Sequence, residues 1–391
     1  MGNSVVALKE LGEFKNGANY PKGSYGAGNK IVNVKDLFRG RFVPFNGLDE
    51  LKPGTLKNKD IYLVEDGDLL FTRSSLVKSG SGMVAMINNP LEDILFCGFI
   101  IRFRPNKSKV LPLYLLYLLR SPKYRKLFTD SAVQTNISNI NQETLGNILI
   151  DLPNFSTQQK IAAVLSALDA KIELNARINA ELESMAKTLY DYWFVQKKVE
   201  SWKVGKLGDV LKIYLGGTPS TKNPEYWENA TIPWLNSGDL TEFPIIISSS
   251  FVTQKGVDNS ATTILPKGSV VISLVRYIRP SIITMEACAN QSVVGILETE
   301  DLKNSFIYPY LVNEVPRLMS LRTGAQLPHI NKVVIDETLL YIPPKHILKE
   351  YYKVAEPIYK KIINLAFESQ TLTELRDWLL PMLMNGQVRV G

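Results

Sequence analysis

The residues of this chain best suited to chemistry are few and form no recognisable catalytic set. The only histidines are His329 and His346, and both lie far in sequence from the two cysteines, Cys97 and Cys288. The sequence has no G-x-S-x-G serine elbow, no G-x-x-x-x-G-K-[S/T] phosphate loop and no G-x-G-x-x-G dinucleotide motif. The Asn- or Asp-Pro-Pro-aromatic signature of an amino-methyltransferase is also missing. Catalysis by this chain alone is therefore not predicted.

Acidic residues offer two weaker alternatives. Asp66 and Asp68 share one tight turn and could bind a metal ion, but a solvated turn is the simpler interpretation. Asp169 and Lys171 have the Asp-x-Lys spacing of some nucleases, yet they fall on a predicted long helix, where charges usually face solvent. With two cysteines and two histidines, neither a disulfide framework nor a structural zinc site is expected. Both cysteines are expected to be small buried side chains.

Two groups of polar loops carry side chains that can bind nucleic acid. Ser, Thr, Asn, Gln, Arg and Lys side chains contact both phosphates and base edges in duplex DNA. In the first group the candidates are Lys22, Ser24, Tyr25, Asn29, Lys30, Arg73, Ser74, Lys78, Gln134, Asn136 and Asn139. In the second they are Thr218, Ser220, Thr221, Lys222, Arg276, Tyr277, Arg279, Gln326, His329 and Asn331. A solvated surface role is the alternative for any single one of them.

A long helical pattern follows the first group of loops. Apolar residues recur at helical steps along residues 161–192, with the alternating threes and fours of a coiled-coil seam in the second half. Residues 158–204 contain neither Gly nor Pro. Ser156 or Thr157 is the expected N-cap, with one of the two following glutamines closing a capping box. A helix of about forty residues spans roughly 60 Å, which suits a spacer.

A second copy of the helical pattern closes the chain. The apolar positions coincide at an offset of 361 − 171 = 190 residues, so that Ile172, for example, matches Ile362. Asn175 and Asn179 interrupt the first seam, and Glu368 interrupts the second. Polar groups in a seam lower stability but fix register and partner. Two copies at one offset favour an internal repeat over two unrelated core helices.

The globular segments before each helix repeat as well. Residues 1–155 and 201–345 both have the composition of mixed, strand-rich domains that follow a polar loop. In the first, strands are predicted over residues 31–34, 61–64, 69–72, 83–87 and 99–103, a helix over residues 113–128, and a polar loop over residues 15–30. A matching helix is predicted over residues 308–321. The fold class is therefore α+β, with two similar globular domains, two long helices and an internal pseudo-twofold repeat.

Composition limits the classes of protein to which the chain can belong. Its 391 residues are enough for two or three domains, and 45% hydrophobic residues are ample for their cores. The formal charge of +7 is compatible with a polyanionic partner without requiring one. The first eleven residues lack the apolar region of a secretory signal, and no apolar run reaches the 18 residues of a membrane span. A cytoplasmic protein without a membrane partner is expected.

Three ordered blocks of sequence border the two predicted helices and begin the second globular segment. They are Leu152-Pro153 with Gln158-Gln159-Lys160-Ile161-Ala162, then Gly216-Gly217-Thr218-Pro219-Ser220 with Ile232-Pro233-Trp234 and Gly238-Asp239-Leu240, and finally Leu375-Arg376-Asp377 with Leu379-Leu380-Pro381 and Asn385-Gly386. Together they extend over nearly the whole chain. The ordered set resembles the specificity subunits of type I restriction-modification systems.

That resemblance implies a domain plan and a function. Residues 1–155 and 201–345 would be two target-recognition domains, each reading one half of a bipartite DNA site. Residues 156–200 and 346–391 would be spacer helices that pair antiparallel. The chain would be a non-catalytic, sequence-specific subunit that binds double-stranded DNA. Its rivals are a helical-repeat protein-interaction scaffold without DNA specificity and a self-contained restriction or methylating enzyme, which the missing motifs disfavour.

The resemblance also implies partner subunits. Two methyltransferase (modification) subunits would dock on the helices, and restriction/translocase subunits would join through that methyltransferase core. No cofactor is expected in this chain, whereas S-adenosylmethionine, ATP and Mg²⁺ are expected on the partners. The apolar residues predicted to form the subunit interface are Ile161, Leu168, Ile172, Leu182, Met185, Leu189, Trp193, Ile358, Ile362, Leu372, Leu375, Trp378 and Leu379.

The sequence departs from the family pattern at two places. Pro357 lies inside the second helix, where it is expected to kink the helix or mark a break. The first globular segment has Gly17-Ala18-Asn19-Tyr20-Pro21 in place of the Gly-Gly-Thr-Pro-Ser loop of the second. The two domains are therefore expected to read different half-sites.

Overall fold

The computed structural model describes residues 4–75, 77–131, 133–134, 138–197 and 201–390. The chain folds into two compact units, one formed by Met1–Ala170 with Leu372–Gly391 and the other by Lys171–Thr371. Each of the two long helices contributes residues to both units, so the division cuts across the predicted four-part plan. No helix of the described residues is both long and apolar enough to cross a membrane.

The first unit begins with strands and ends its globular part with short helices. Its strands are β1 (Ser4–Ala7), β2 (Gly12–Asn16), β3 (Tyr25–Val32), β4 (Asp49–Leu51), β5 (Leu69–Thr72), β6 (Ser74–Ser75), β7 (Val84–Met86), β8 (Ile94–Phe96), β9 (Ile100–Pro105), β10 (Val133–Gln134), β11 (Ser138–Asn139) and β12 (Leu149–Leu152). Its helices are α1 (Pro112–Arg120), α2 (Pro122–Ser131), α3 (Gln142–Gly146) and the start of α4 (Phe155–Tyr190).

Sheets β2-β9-β5-β7 and β4-β3-β8 form the centre of the first unit. The first of these is antiparallel throughout, whereas β3 pairs parallel with β8 in the second. Helix α1 packs on the four-stranded sheet, and its Tyr114, Leu115 and Leu118 are buried with Phe71 and Phe103. The ribbon β1-β12 leads directly into α4.

The second unit repeats this arrangement. Its strands are β13 (Lys203–Lys206), β14 (Ile213–Leu215), β15 (Ile232–Leu235), β16 (Phe251–Val252), β17 (Val270–Ser273), β18 (Pro280–Ile282), β19 (Cys288–Ala289), β20 (Val293–Ile296) and β21 (Leu339–Ile342). Its helices are α5 (Leu207–Val210), α6 (Gln254–Asp258), α7 (Asn304–Ser320), α8 (Lys332–Asp336) and α9 (Lys345–Met384), which continues into the first unit.

Three sheets of the first unit have counterparts in the second. The antiparallel sheet β14-β20-β17-β18 matches β2-β9-β5-β7, and the mixed sheet β16-β15-β19 matches β4-β3-β8. The ribbon β13-β21 matches β1-β12 and leads into α9 as β12 leads into α4. The predicted α+β repeat is therefore confirmed.

Several local predictions in the first unit are wrong. Residues 61–64 were expected to form a strand, but a 3-10 helix covers Lys59–Tyr62. The single helix predicted over residues 113–128 is broken into α1 and α2, because Ser121 is extended before Pro122, as residues preceding proline prefer. The predicted loop over residues 15–30 contains most of β3, which starts at Tyr25.

The start of α4 is capped differently from the prediction. Asn154, not Ser156 or Thr157, provides the cap, since its Oδ1 accepts a hydrogen bond of 2.9 Å from the Thr157 amide. Gln158 does not close a capping box. Its side chain is 1% exposed, donates to the Pro153 carbonyl and accepts from the Leu111 amide, both at 2.9 Å. Gln158 therefore joins the start of α4 to the start of α1.

We expect Gln158→Leu to destabilise the first unit by about 1–3 kcal/mol, because the change leaves the half-buried Leu111 amide and Pro153 carbonyl without their partner. The exposed neighbour Gln159→Leu is the matched control and should change stability by less than about 0.5 kcal/mol. Thermal or denaturant unfolding of both variants measures the difference. Equal effects at the two positions would contradict the role assigned to Gln158.

Inside the second unit α4 and α9 pair antiparallel. Asn175 Nδ2 donates to Glu368 Oε2 at 2.9 Å, and Asn179 Nδ2 donates to the Ile362 carbonyl at 3.3 Å, so α4 residue numbers rise as α9 numbers fall. The expected interruption of both seams by polar residues is therefore confirmed. These polar residues form hydrogen bonds between the two helices. Antiparallel pairing continues in the first unit, where Asp169 binds Arg376.

The predicted seam of α4 changes face after Leu182. Met185 is exposed and Leu189 only half-buried, whereas Ala186 and Tyr190 are buried. The buried residues then recur every fourth position, because this part of the helix packs against the core of the second unit. A π-helical turn over Asp191–Gln196 extends α4 and buries Phe194. The helix α9 runs from Lys345 to Met384 through Pro357, so of the predicted kink or break the break does not occur.

Candidate nucleic-acid interface

A small three-stranded sheet, β10-β11-β6, brings together predicted binding residues of the first unit. Asn139 on β11 pairs with Ser74 on β6, and the Ser74 hydroxyl contacts Asn139 Oδ1 at 2.5 Å. Gln134 lies on β10, opposite Ser138. Arg73 immediately precedes β6 and accepts a backbone hydrogen bond of 2.9 Å from the Ile140 amide. We call Arg73, Ser74, Gln134 and Asn139 cluster 1.

The corresponding place in the second unit gathers another set. His329 bridges to Val275, and Arg276 donates its amide to the Pro328 carbonyl at 2.8 Å. Arg276 adopts a positive φ of 55°, which turns the chain sharply after β17. Tyr277 is 61% exposed, and the Arg279 guanidinium carbon lies 5.0 Å from the centre of its ring. We call Arg276, Tyr277, Arg279, Gln326 and His329 cluster 2.

The two clusters occupy equivalent positions in the repeat. The Ile140 amide donates to the carbonyl of Arg73, the first residue after β5. In the second unit the Ile330 amide donates to the carbonyl of Leu274, the first residue after β17, at the same 2.9 Å. Each cluster thus lies at the end of an inner strand of the four-stranded sheet, β5 or β17. There this strand meets the polar segment that precedes α3 or α8. This one pairing joins residues that are 140 − 73 = 67 positions apart in the first unit and 330 − 274 = 56 apart in the second.

The loop Gly216 to Ser220 is held from behind by two tryptophans. Trp234 Nε1 donates to the Gly217 carbonyl and Trp227 Nε1 donates to the Ser220 carbonyl, each at 3.1 Å. Their rings meet edge-on, with centres 5.1 Å apart. A Cβ on Gly217 would lie 2.6 Å from the Thr262 amide nitrogen, so this close approach requires glycine.

The same loop is linked through Gln291 to the chain segment that leads into cluster 2. The Thr218 hydroxyl is hydrogen-bonded to the Gln291 side chain. Next to Gln291, the Ser292 carbonyl accepts the Leu274 amide at 2.8 Å, directly before the turn at Arg276. Ser220, Thr221 and Lys222 are exposed on the continuation of the loop.

Among the residues that the structure describes, the arginines of both clusters have no carboxylate partner. Within the described ranges, no Asp or Glu oxygen lies in ion-pair contact with Arg73, Arg276 or Arg279. Arg322 adds a further guanidinium beside cluster 2, because it donates to the Arg276 carbonyl. Unpaired guanidinium groups next to Asn, Gln and Ser side chains suit a polyanion whose edges also carry donors and acceptors.

Other predicted residues lie outside the clusters. Lys30 is paired with Glu92 at 2.5 Å, and Asn29 lies on β3 opposite Leu51. The Tyr25 hydroxyl lies 2.9 Å from that of Tyr20. Asn331 caps α8, since its Oδ1 accepts from the Val334 amide at 3.1 Å.

Three predicted residues lie at or beyond the limits of the described structure. Lys78 starts a 3-10 turn, Lys78–Gly80, but its side chain is not described, and neither is that of Gln134. Asn136 lies outside the described residues. In the turn before β3, Lys22 is exposed and Ser24 is half-buried.

Sequence reasoning missed Phe99, Gln291 and Arg322. Phe99 is 63% exposed, and its carbonyl accepts the Arg73 amide at 2.8 Å. Phe99 comes directly before β9 and Gln291 two residues before β20, the strands that pair with β5 and β17 respectively. A large aromatic or amide residue shortly before a predicted buried strand was the sequence pattern that could have indicated Phe99 and Gln291.

The groups considered for catalysis have structural roles. Cys97 and Cys288 are buried as predicted, and burial raises the pKa of the Cys97 thiol to about 11 and also raises that of Cys288. Asp68 is not in a solvated turn. It is 1% exposed and accepts two hydrogen bonds of 2.8 Å from Arg104. No group of three or more His, Cys, Asp or Glu side chains that could hold a metal ion occurs among the described residues.

Asp169 also departs from the prediction of a solvent-facing charge. Its carboxylate contacts Arg41 and the Tyr117 hydroxyl at 2.5 Å and Arg376 at 3.0 Å, and only 14% of its side chain is exposed. Burial lowers the pKa of Arg41. Burial opposes the charge of Arg376 too, but hydrogen bonds to Asp377 and Asp169 raise its pKa overall. Asp169 thus joins the globular part of the first unit to both long helices.

The predicted subunit-interface residues differ in exposure. Ile161 and Ile362 are buried in the chain's own cores. Half-buried positions are Leu168, Ile172, Leu182, Leu189, Trp193, Ile358, Leu372 and Leu379. Met185, Leu375 and Trp378 are 56%, 40% and 55% exposed, which leaves them free for contacts with other proteins.

Comparison with known proteins gives consistent similarities. The profile of the type I restriction modification DNA specificity domain matches residues 2–184 and 199–374. The MjaIX specificity subunit of Methanocaldococcus jannaschii is 26% identical over 99% of this chain and 93% of its own length. The HindI specificity subunit of Haemophilus influenzae is 22% identical over 92% of this chain and 94% of its own. In fold, the chain resembles the type I restriction-modification S subunit from M. genitalium, with a TM-score of 0.62, 15% identity and coverage of 97% and 95%.

Proposed function

Because the chain belongs to the family of type I restriction-modification DNA specificity proteins, we propose that clusters 1 and 2 are its two DNA-reading surfaces. The observation that carries this proposal is their equivalence. An equivalent backbone hydrogen bond, from Ile140 to Arg73 in one unit and from Ile330 to Leu274 in the other, lies beside each cluster of polar and arginine residues. Each cluster would read one half of a bipartite site, with the first domain in residues 1–155 and the second in residues 201–345.

The chemistry of the clusters supports separate tasks for their members. Guanidinium groups bind phosphates, and they also bind guanine through two hydrogen bonds in the major groove. Amide side chains such as Gln326 and Asn139 pair with adenine in the same way. Because the first unit has the pair Ser74–Asn139 where the second has the pair Val275–His329, the half-sites would differ.

The proposed partners follow from the same family. Two methyltransferase subunits would dock on α4 and α9, with Met185, Leu375 and Trp378 available at the surface. Restriction/translocase subunits would join through them. S-adenosylmethionine, ATP and Mg²⁺ would belong to those partners, and this chain would act without catalysis of its own. Its place would be the cytoplasm, where the DNA to be modified lies.

We expect Arg276→Ala with Arg279→Ala to weaken binding of the assembled complex to its duplex site. If both arginines contact phosphates, the slope of log K against log salt should fall by roughly 2, at about 0.9 per contact. A salt titration of binding to a duplex carrying the mapped site measures this. The double change Lys206→Ala with Lys255→Ala is the control, because it removes the same charge from lysines already paired with Glu337 and Glu225.

Equal slopes for the two double variants would contradict DNA binding by cluster 2. If the affinity for DNA did not depend on salt concentration in any variant, the result would instead favour the alternative. That alternative is a protein-interaction scaffold without DNA specificity. Mapping methylated sites adds a second readout. Changes in cluster 2 should alter one half-site and leave the half-site read by cluster 1 unaltered.

A further inference from the structure

The two long helices present similar apolar faces because they are copies of one pattern. Residues of α4 and α9 correspond at the offset of 190, as Ile172 does with Ile362. Such a helix can in principle pair antiparallel with its own counterpart on a second copy of the chain. The observed pairs are instead heterotypic, α4 against α9, within each unit.

Two polar pairs mark the heterotypic contact. Asn175 is completely buried and donates to Glu368 at 2.9 Å, while its own Oδ1 has no partner among the described residues. Asp169 and Arg376 contact each other at 3.0 Å, with 14% and 13% of their side chains exposed. Polar groups in such a seam specify the partner when a wrong partner leaves them unsatisfied.

The repeat places apolar residues at the equivalent positions of each pair. Adding 190 to Asn175 gives Leu365, and subtracting 190 from Glu368 gives Ile178. The mates of Asp169 and Arg376 are Tyr359 and Ala186, which are 4% and 2% exposed in the second unit. Each polar pair therefore has an apolar pair as its symmetry mate.

This asymmetry acts against homotypic pairing. If α4 met α4 of a second copy in the same register, Asn175 would face Ile178 and Asp169 would face Ala186. If α9 met α9, Glu368 would face Leu365. Buried polar and charged groups without partners are strongly unfavourable. We infer that the two polar pairs make the helix surface specific for α4–α9 pairing and exclude α4–α4 and α9–α9 pairing with a second copy of this chain.

The test is to make the faces symmetric. The double variant Asn175→Ile with Glu368→Leu gives both helices an apolar face at this level. It should unfold at the same or a higher temperature than wild type, yet form a larger fraction of dimer by light scattering. The reversed pair, Asn175→Glu with Glu368→Asn, keeps the heterotypic contact and should retain the wild-type dimer fraction.

Added thiols identify the kind of dimer. In homotypic α4 pairing, position 175 of one copy faces position 178 of the other, so Asn175→Cys with Ile178→Cys, combined with Glu368→Leu, should form a disulfide-linked dimer. A dimer that exchanges α4 and α9 places these positions opposite residues 368 and 365 and gives no such link. A second route, Ile178→Glu with Leu365→Asn, adds the missing polar mates, allows both kinds of pairing and should also increase the dimer fraction. A wild-type dimer fraction in both variants, or dimers that fail to cross-link, would overturn the inference.

Discussion

Asp169→Ala is expected to destabilise the first unit by about 3–5 kcal/mol, the loss typical of removing one partner from a buried ion pair. The alanine would leave Arg41 and Arg376 close together without their shared carboxylate, and Tyr117 without its acceptor. These two guanidinium groups, on side chains that are 23% and 13% exposed, then repel each other at a site where burial already disfavours the charge of Arg41.

The two cysteines allow this effect to be assigned to one unit. Cys97 is buried in the first unit and Cys288 in the second, so the labelling rate of each thiol reports the opening of its own unit. Asp169→Ala should speed labelling of Cys97 by about two to three orders of magnitude and leave Cys288 unchanged. Asp377→Ala is the control, because Asp377 also contacts Arg376 but is 60% exposed, and its loss should cost about 1 kcal/mol at most. Similar labelling in the two variants would show that Asp169 is not a central contact.

The architecture was predictable where one physical pattern extends over many residues. The repeat at one offset, the seam of α4 and the strands after Gly67 and Gly268 all reflect periodic burial, which sequence displays directly. The polar interruptions of the seam were visible too. Their partners were not, because Asn175 and Glu368 lie 193 residues apart and meet only through tertiary pairing.

The contents of the candidate site were harder to predict for the same reason. Arg276 and His329 were both chosen for their side chains, but only the bridge from Val275 to His329 makes them neighbours. Asn331 was chosen by the same rule and caps a helix instead. Residue type indicates what a side chain can bind, whereas the fold decides whether the side chain already binds another part of the protein. Gln158 and Asp169 show this most clearly, since their polar groups form hydrogen bonds inside the first unit.

Lengthening both long helices by four residues is expected to lengthen the unread spacer of the DNA site by one or two base pairs. The helices α4 and α9 each pass from one unit into the other, at Ala170–Lys171 and Thr371–Leu372. Four residues add about 6 Å of helix at roughly 1.5 Å each. A base pair of DNA rises by about 3.4 Å, so the added length corresponds to one or two of them.

The insertions must be made in both helices. The two division points face each other in the antiparallel register, which is set by Asn175–Glu368 on one side and Asp169–Arg376 on the other. Insertion into α4 alone would shift one polar pair out of register by about one turn and is expected to destroy the assembly. Matched insertions of four residues preserve both pairs and turn each helix by slightly more than one full turn, at about 3.6 residues per turn.

Mapping methylated sites for complexes with and without the matched insertions gives the measurement. Unchanged half-sites separated by a longer spacer are the expected result. Matched insertions of two residues are the control, because they rotate the apolar faces by about 200° and should abolish activity. An active complex with four-residue insertions and the original spacer would show that the helices do not set the distance between the two reading surfaces.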